Sequence, residues 1–91
     1  MIAGGARANQ SFALSSRSVD IGALDDNDIV LNVASVSRHH ARLSFELRGT
    51  QLEDLSSKNG TFINDRRVYT KGSIRPGDRL RFGEVELTYR A

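Results

Sequence analysis

Three polar stretches carry the residues of this chain best suited to chemistry. Ser35-Val36-Ser37-Arg38-His39-His40 places a hydroxyl, a guanidinium and two imidazoles within six positions. Ser56-Ser57-Lys58-Asn59-Gly60 brings two hydroxyls, an ammonium and an amide ahead of a glycine, and Gly22-Ala23-Leu24-Asp25-Asp26-Asn27-Asp28 is acidic. Ser37 and Arg38 suit a phosphate, the serine through its hydroxyl and the arginine through its planar fork. Lys58 adds a point charge, and a tight glycine turn such as Asn59-Gly60 exposes backbone N–H groups in anion-friendly concavities. Each stretch also reads as a solvated loop. Asn59-Gly60 by itself is a strong hairpin signal, because both residues tolerate positive φ.

The histidines raise two further chemistries. A metal would need more ligands at suitable spacing, and the chain has no cysteine, so only carboxylates are available. Ser37, His40 and an aspartate could be named as a hydrolase triad, but many sequences contain those letters. No G-x-S-x-G nucleophile elbow is present. Catalysis and metal binding are therefore not expected, and no cofactor is. His40, followed directly by strand-like residues, reads as a buried structural hydrogen bonder.

The segments between these loops must position them. Glycines and turn pairs recur at short spacing: Gly4-Gly5, Gly22, Gly49, Asn59-Gly60, Asn64-Asp65, Gly72, Pro76-Gly77-Asp78 and Gly83. Runs of about four to eight residues lie between them, the spacing of an all-β sandwich or barrel. Alternation is clearest from Ala41 to Arg48, where Ala41, Leu43, Phe45 and Leu47 are predicted to face inward. Leu80 and Phe82, then Val85, Leu87 and Tyr89, repeat it, with a hairpin turn at Gly83-Glu84. Phe12 and Leu14, Val19 and Ile21, and Ile29 and Leu31 fit the same scheme. Residues 23–48 lack glycine and proline, and Val36, His40, Leu43 and Leu47 would also share one helical face. The β-branched Ile29, Val30, Val33 and Val36 favour strand there.

Bulk composition bounds the rest. Ninety-one residues make one small domain, and 38% hydrophobic with 26% charged residues is an ordinary folded composition. The formal net charge of +2 is too mild for a dense nucleic-acid-binding stripe, although eleven arginines outnumber two lysines. No apolar run approaches the roughly 20 residues of a membrane span, and the first ten residues lack the order of a signal peptide. Neither nucleic acid nor membrane insertion is expected. Absence of cysteine permits an intracellular, most simply cytoplasmic, location. Ile2-Ala3 reads as a strand cut short, so residues 1–91 are expected to be one module excised from a longer protein.

Taken in order, the pieces resemble the forkhead-associated (FHA) domain family. They are Val19-Asp20-Ile21-Gly22, Asn27-Asp28-Ile29-Val30-Leu31, Val36-Ser37-Arg38-His39-His40-Ala41, the run from Leu52 to Asn64 and Gly77-Asp78-Arg79-Leu80-Arg81-Phe82-Gly83. S-R-x-H-A followed by S-x-N-G-T is the specific part, and the resemblance covers about residues 12–89. It implies a β-sandwich of about eleven strands in two mostly antiparallel sheets, with strand in the ambiguous segment and the binding loops at one end. It implies recognition of phosphothreonine in partner proteins that a Ser/Thr kinase has modified. Ser37 then resembles the hydroxyl that bonds the phosphate, with Arg38 beside it. Lys58 resembles the side chain that approaches the phosphate, and Asn59 the one that holds the peptide main chain. Gly22, His40 and Gly60 resemble architectural positions, two permissive backbones and a loop brace.

One position departs. The family usually has arginine directly after the glycine of its I-G-R motif, and this chain has Ala23. A hydrogen bond to a charged group contributes about 1.5–3 kcal/mol, so its loss weakens phosphate binding roughly ten- to a hundredfold. Asp25, Asp26 and Asp28 would repel a phosphate if they pointed at it. Arg17 should lie at the far end of the sandwich, which leaves Arg38 and Lys58 to compensate. The alternative is an FHA-like domain that binds an unphosphorylated protein partner through another surface.

Overall fold

The chain is described by a computed structural model, which covers residues 2–4, 11–12, 18–47 and 49–90. Eleven strands follow one another: β1 (Ile2–Gly4), β2 (Ser11–Phe12), β3 (Ser18–Gly22), β4 (Ile29–Val30), β5 (Ala41–Glu46), β6 (Gly49–Asp54), β7 (Thr61–Ile63), β8 (Arg66–Val68), β9 (Lys71–Ile74), β10 (Arg79–Phe82) and β11 (Val85–Tyr89). They form a six-stranded sheet, order β2-β1-β11-β10-β7-β8, and a five-stranded sheet, order β4-β3-β5-β6-β9. Every pairing is antiparallel except β3 with β4. The fold is thus all-β, and no described residue is helical. Among the described residues no helix is long and apolar enough to cross a membrane.

Alternation builds the core. Val19 and Ile21 from β3, Leu43 from β5, Leu52 from β6 and Ile74 from β9 join Leu80, Phe82, Val85 and Leu87 from the other sheet in one buried cluster. Burying a side chain of this size stabilises by about 1.5–3 kcal/mol, so the two inner faces carry most of the driving force. The outer face of the five-stranded sheet is polar in register. Asp20, Arg42, Glu53 and Lys71 stand side by side across β3, β5, β6 and β9. Opposite charges alternate along that row, and Arg42 Nε donates to Asp20 Oδ1 at 2.7 Å.

Part-buried polar bonds tie the sheets together at each end of β6. At one end, Thr50 Oγ1 and Tyr89 Oη lie 3.1 Å apart. At the other, Thr61 Oγ1 on β7 donates to Asp54 Oδ1 at 2.6 Å. The second connection underlies the loops singled out above.

Several local expectations are corrected. Leu47 is fully exposed, because β5 stops at Glu46 and Leu47 lies in the turn that follows it. The segment 23–40 contains only the two-residue β4, and its remainder is neither helix nor strand but a stitched loop. Leu31 N–H donates to Gly22 O, and Val36 N–H to Val33 O. Leu55–Gly60 is not a hairpin turn, since β6 and β7 belong to different sheets. A tight hairpin with two left-handed residues falls instead at Asn64-Asp65, φ 49° and 70°, between paired Ile63 and Arg66. The turn at Gly83-Glu84 joins β10 to β11 as expected. Leu14, Arg17 and the side chain of Phe12 lie outside the described residues.

Candidate functional site

Four connections gather at the end of the sandwich where Asp54 and Thr61 meet: residues 23–28, 31–40, 55–60 and 83–84. Their backbones are bonded to one another. Ala23 N–H donates to Ser37 O at 3.0 Å, and Gly83 N–H to Gly60 O at 3.2 Å. Glu84 N–H donates to Ser35 Oγ at 3.0 Å.

His40 is the hub. Its ring is fully buried and meets Phe82 edge to face with centroids 5.7 Å apart. Ser37 N–H donates to Nδ1 at 3.0 Å, so Nδ1 carries no proton. Nε2–H therefore donates to Gly60 O at 2.8 Å. Burial holds the imidazole below the usual histidine pKa, against smaller opposing effects from the Gly60 carbonyl and the Asp54 charge. One neutral tautomer thus braces two loops. With both ring nitrogens engaged, His40 has none left for a metal. Ser37 meets His40 through its backbone N–H rather than its hydroxyl.

The 55–60 loop is organised from beneath by Asp54. Burial alone would raise the Asp54 pKa, but bonds from Ser57 Oγ, Thr61 Oγ1 and Ser57 N outweigh it and hold the pKa below the ordinary value. Ser57 Oγ also accepts from Gly60 N–H at 3.0 Å, and Ser57 is buried. Of the two hydroxyls in the Ser56-to-Gly60 stretch, that of Ser57 is therefore committed to its own loop. Gly60 has φ 93°, a conformation that favours glycine.

Gly22 serves space rather than backbone freedom, because its φ is not in the left-handed region. A Cβ there would stand 2.1 Å from Arg38 O and 2.7 Å from Asn27 Nδ2. Asn27 is buried and donates through Nδ2 to both Leu24 O and Arg38 O, which fixes the acidic loop against the Ser37-Arg38 segment. Of its aspartates, Asp28 is turned to Asp20 N–H at 2.8 Å. Asp26 lies 3.6 Å from His39 Nε2, and Asp25 is exposed.

Above this framework, Ser37, Arg38, Lys58 and Asn59 line one open depression of about 460 Å3, joined by Ser35 and His39. Lys58 N–H donates to Ser37 Oγ at 3.1 Å. That bond occupies an acceptor position and leaves the hydroxyl proton for another acceptor. Asn59 Nδ2 donates to Ser35 O at 2.9 Å, which orients the amide and leaves its carbonyl and second N–H available. Arg38 and Lys58 are exposed, and among the described residues no carboxylate pairs with either. The depression therefore has two uncommitted cations, a hydroxyl donor and an oriented amide, a set able to hold a dianion beside a peptide main chain.

Sequence reasoning missed Ser35, Asn27, Asp54 and Gly83. Ser35 and Gly83 are close partners, since a Cβ on Gly83 would stand 2.2 Å from Ser35 O. Asp54-Leu55-Ser56-Ser57 did carry a signal, an acidic side chain three residues before the N–H it caps. Asn27 stands in the Asn27-to-Leu31 piece of the resemblance, but nothing in the sequence gives its side chain the role of tying two loops.

An FHA-domain family model matches residues 19–83. The chain is 34% identical over 82 residues to the transcriptional regulatory protein EmbR of Mycobacterium tuberculosis, covering 90% of this chain and 21% of EmbR. Solved with a low-affinity phosphopeptide, EmbR superposes with TM-score 0.92 at 32% identity, over 98% of this chain and 23% of that one. The FHA domain-containing protein FhaB of the same organism is 36% identical over 88 residues, covering 94% of this chain and 56% of FhaB. A further structure, from a study of phosphothreonine-dependent FHA-domain interactions, gives TM-score 0.91 at 28% identity, over 99% of this chain and 93% of that one. The chain spans about a fifth of EmbR and about half of FhaB.

Proposed function

The chain belongs to the FHA family, and from that premise we propose that it is a phosphothreonine-peptide recognition module that joins proteins in signalling or assembly. The carrying observation is the Lys58 N–H to Ser37 Oγ bond, which leaves the Ser37 proton for a phosphate oxygen in a depression flanked by Arg38 and Lys58. Arg38 and Lys58 neutralise the phosphate, and Asn59 grips the peptide main chain. Gly22, His40 and Gly60 hold the loops. The domain binds without catalysis or cofactor. Its affinity is reduced by Ala23, roughly ten- to a hundredfold relative to a domain with arginine there. Residues 1–91 serve as one domain of a longer protein, and a partner phosphorylated by a Ser/Thr kinase would be met inside the cell.

Calorimetric titration with an oriented phosphothreonine peptide pool, beside its unphosphorylated counterpart, tests this. Heat is expected from the phosphorylated pool alone, with loss of at least about tenfold in affinity in Ser37→Ala and in Asn59→Ala. Unchanged affinity in both variants would remove the site assignment. Equal binding of the two pools would favour the second reading, a phosphorylation-independent interaction domain, to which Ala23 points.

A further inference from the structure

We propose that the groove between β8 and β9 is a second docking site, one that takes an extended acidic segment of a partner protein without phosphorylation. The groove measures about 820 Å3 and lies outside the Ser37 depression, with no lining residue in common. β8 ends the six-stranded sheet and β9 ends the five-stranded one, so among the described residues each bordering strand has an edge without a strand partner in its sheet. Such edges are where an extended peptide can gain main-chain hydrogen bonds.

The side chains set the chemistry. Arg66, Arg67 and Lys71 line the groove and are exposed, and among the described residues no carboxylate lies within ion-pair distance of any of them. Arg66 and Arg67 on β8 face Ile63 and Phe62 in register, whereas Lys71 on β9 faces Glu53 on β6; together the three cations give a local positive potential that an anionic segment would neutralise. Asp78, the groove's carboxylate, already accepts from Asn64 Nδ2 and Arg75 N–H. Arg67 is partly pre-placed, its guanidinium 5.3 Å from the Tyr69 ring and 6.0 Å from the Phe62 ring. That placement lowers the ordering cost of gripping a carboxylate. Tyr69 is 80% exposed, an aromatic surface of the kind that anchors interfaces.

Beneath the charges, Ile63 and Val68 supply an apolar strip. Gly72 lets β9 approach it, since a Cβ there would stand 2.9 Å from Ile63 Cδ1. A segment alternating acidic and apolar side chains would satisfy the charges and the strip at once. A nucleic acid would use the cations but leave the strand edges without main-chain partners.

The probe is an unphosphorylated hexapeptide of alternating glutamate and valine, titrated into the isotope-labelled domain and followed by amide chemical shifts. Shifts concentrated at residues 66–73 are expected. Affinity should fall at least about tenfold in Arg66→Glu/Lys71→Glu and stay unchanged in Ser37→Ala, whatever the fate of phosphopeptide binding. Shifts confined to residues 35–39 and 58–59, no shifts, or an undiminished response in the double variant would overturn the proposal. Tighter binding of oligothymidylate or anionic vesicles at the same residues would overturn the choice of a protein segment.

Discussion

Ala23 stands where the resemblance implies an arginine, and its surroundings show how that difference can be measured. Its N–H is bonded to the Ser37 carbonyl, so position 23 sits directly beside the loop that carries Ser37 and Arg38. Ala23→Arg is expected to strengthen phosphothreonine-peptide binding roughly tenfold or more, by adding one charge-assisted hydrogen bond. Calorimetry would read it, and an unchanged affinity would mean that Arg38 and Lys58 already supply all the charge the depression uses. Side chains that reach solvent were legible in the sequence here. Ser37, Arg38, Lys58 and Asn59 were picked by type, and they do line one depression. Of the side chains that hold a loop from within, His40 was legible and Ser57 was not. Ser57 looks in sequence like Ser37, yet one is consumed by Asp54 and the other keeps its proton. The aspartate three residues before Ser57, where Ser37 has Ala34, is the local difference between them.

Among the elements, the loops owe their shape to close approach, and glycine substitutions separate that cause from backbone freedom. Gly22→Ala would drive a methyl into the Arg38 carbonyl at the end of β3, where the neighbour is backbone and cannot yield cheaply. Gly77 has φ 98° and open space around it, so Gly77→Ala meets only the left-handed penalty. Urea unfolding is expected to show about 3 kcal/mol lost for Gly22→Ala, against about 1–2 kcal/mol for Gly77→Ala. Phosphopeptide affinity at temperatures where both remain folded should fall only for Gly22→Ala. Equal costs would refute the role of close packing at Gly22. Strand existence was legible wherever alternation was sustained, as from Ala41 to Phe45. Strand ends were not: Leu47 continues the pattern but falls in the turn after Glu46. Two adjacent turn signals also look alike in sequence. Asn64-Asp65 closes a hairpin, and Asn59-Gly60 ends a crossing between sheets, because Asp54 and His40 claim the groups of the second loop.

Across the whole molecule, stability and the binding end share one polar cluster, so both should respond to acid. His40 follows the loop of residues 31–40 into the five-stranded sheet and donates to Gly60, while Asp54 on the same sheet accepts from Thr61 on the other. The cluster therefore bolts the two sheets together under the Ser37 depression. Burial lowers the folded pKa of His40, so above the unfolded value of about 6.5 neither state is protonated there and the contribution is complete. As pH falls below that value the unfolded chain takes up the proton first, and stability declines until the folded pKa is reached. Asp54 acts at lower pH: its folded pKa is depressed, so its contribution is present above the ordinary aspartate range and is lost as pH falls through the folded value. Urea midpoints are therefore expected to fall from pH 7.5 to 5 and again below about pH 4. The chain has two histidines, and His39 lies exposed on the surface, so His39→Gln should keep the first decline. Protonating His40 also removes the acceptor of the Ser37 N–H, so phosphopeptide affinity should weaken over the same interval beyond the effect of phosphate protonation. A midpoint flat from pH 7.5 to 5, or a decline abolished by His39→Gln, would mean that His40 is not the group that couples the two sheets to pH.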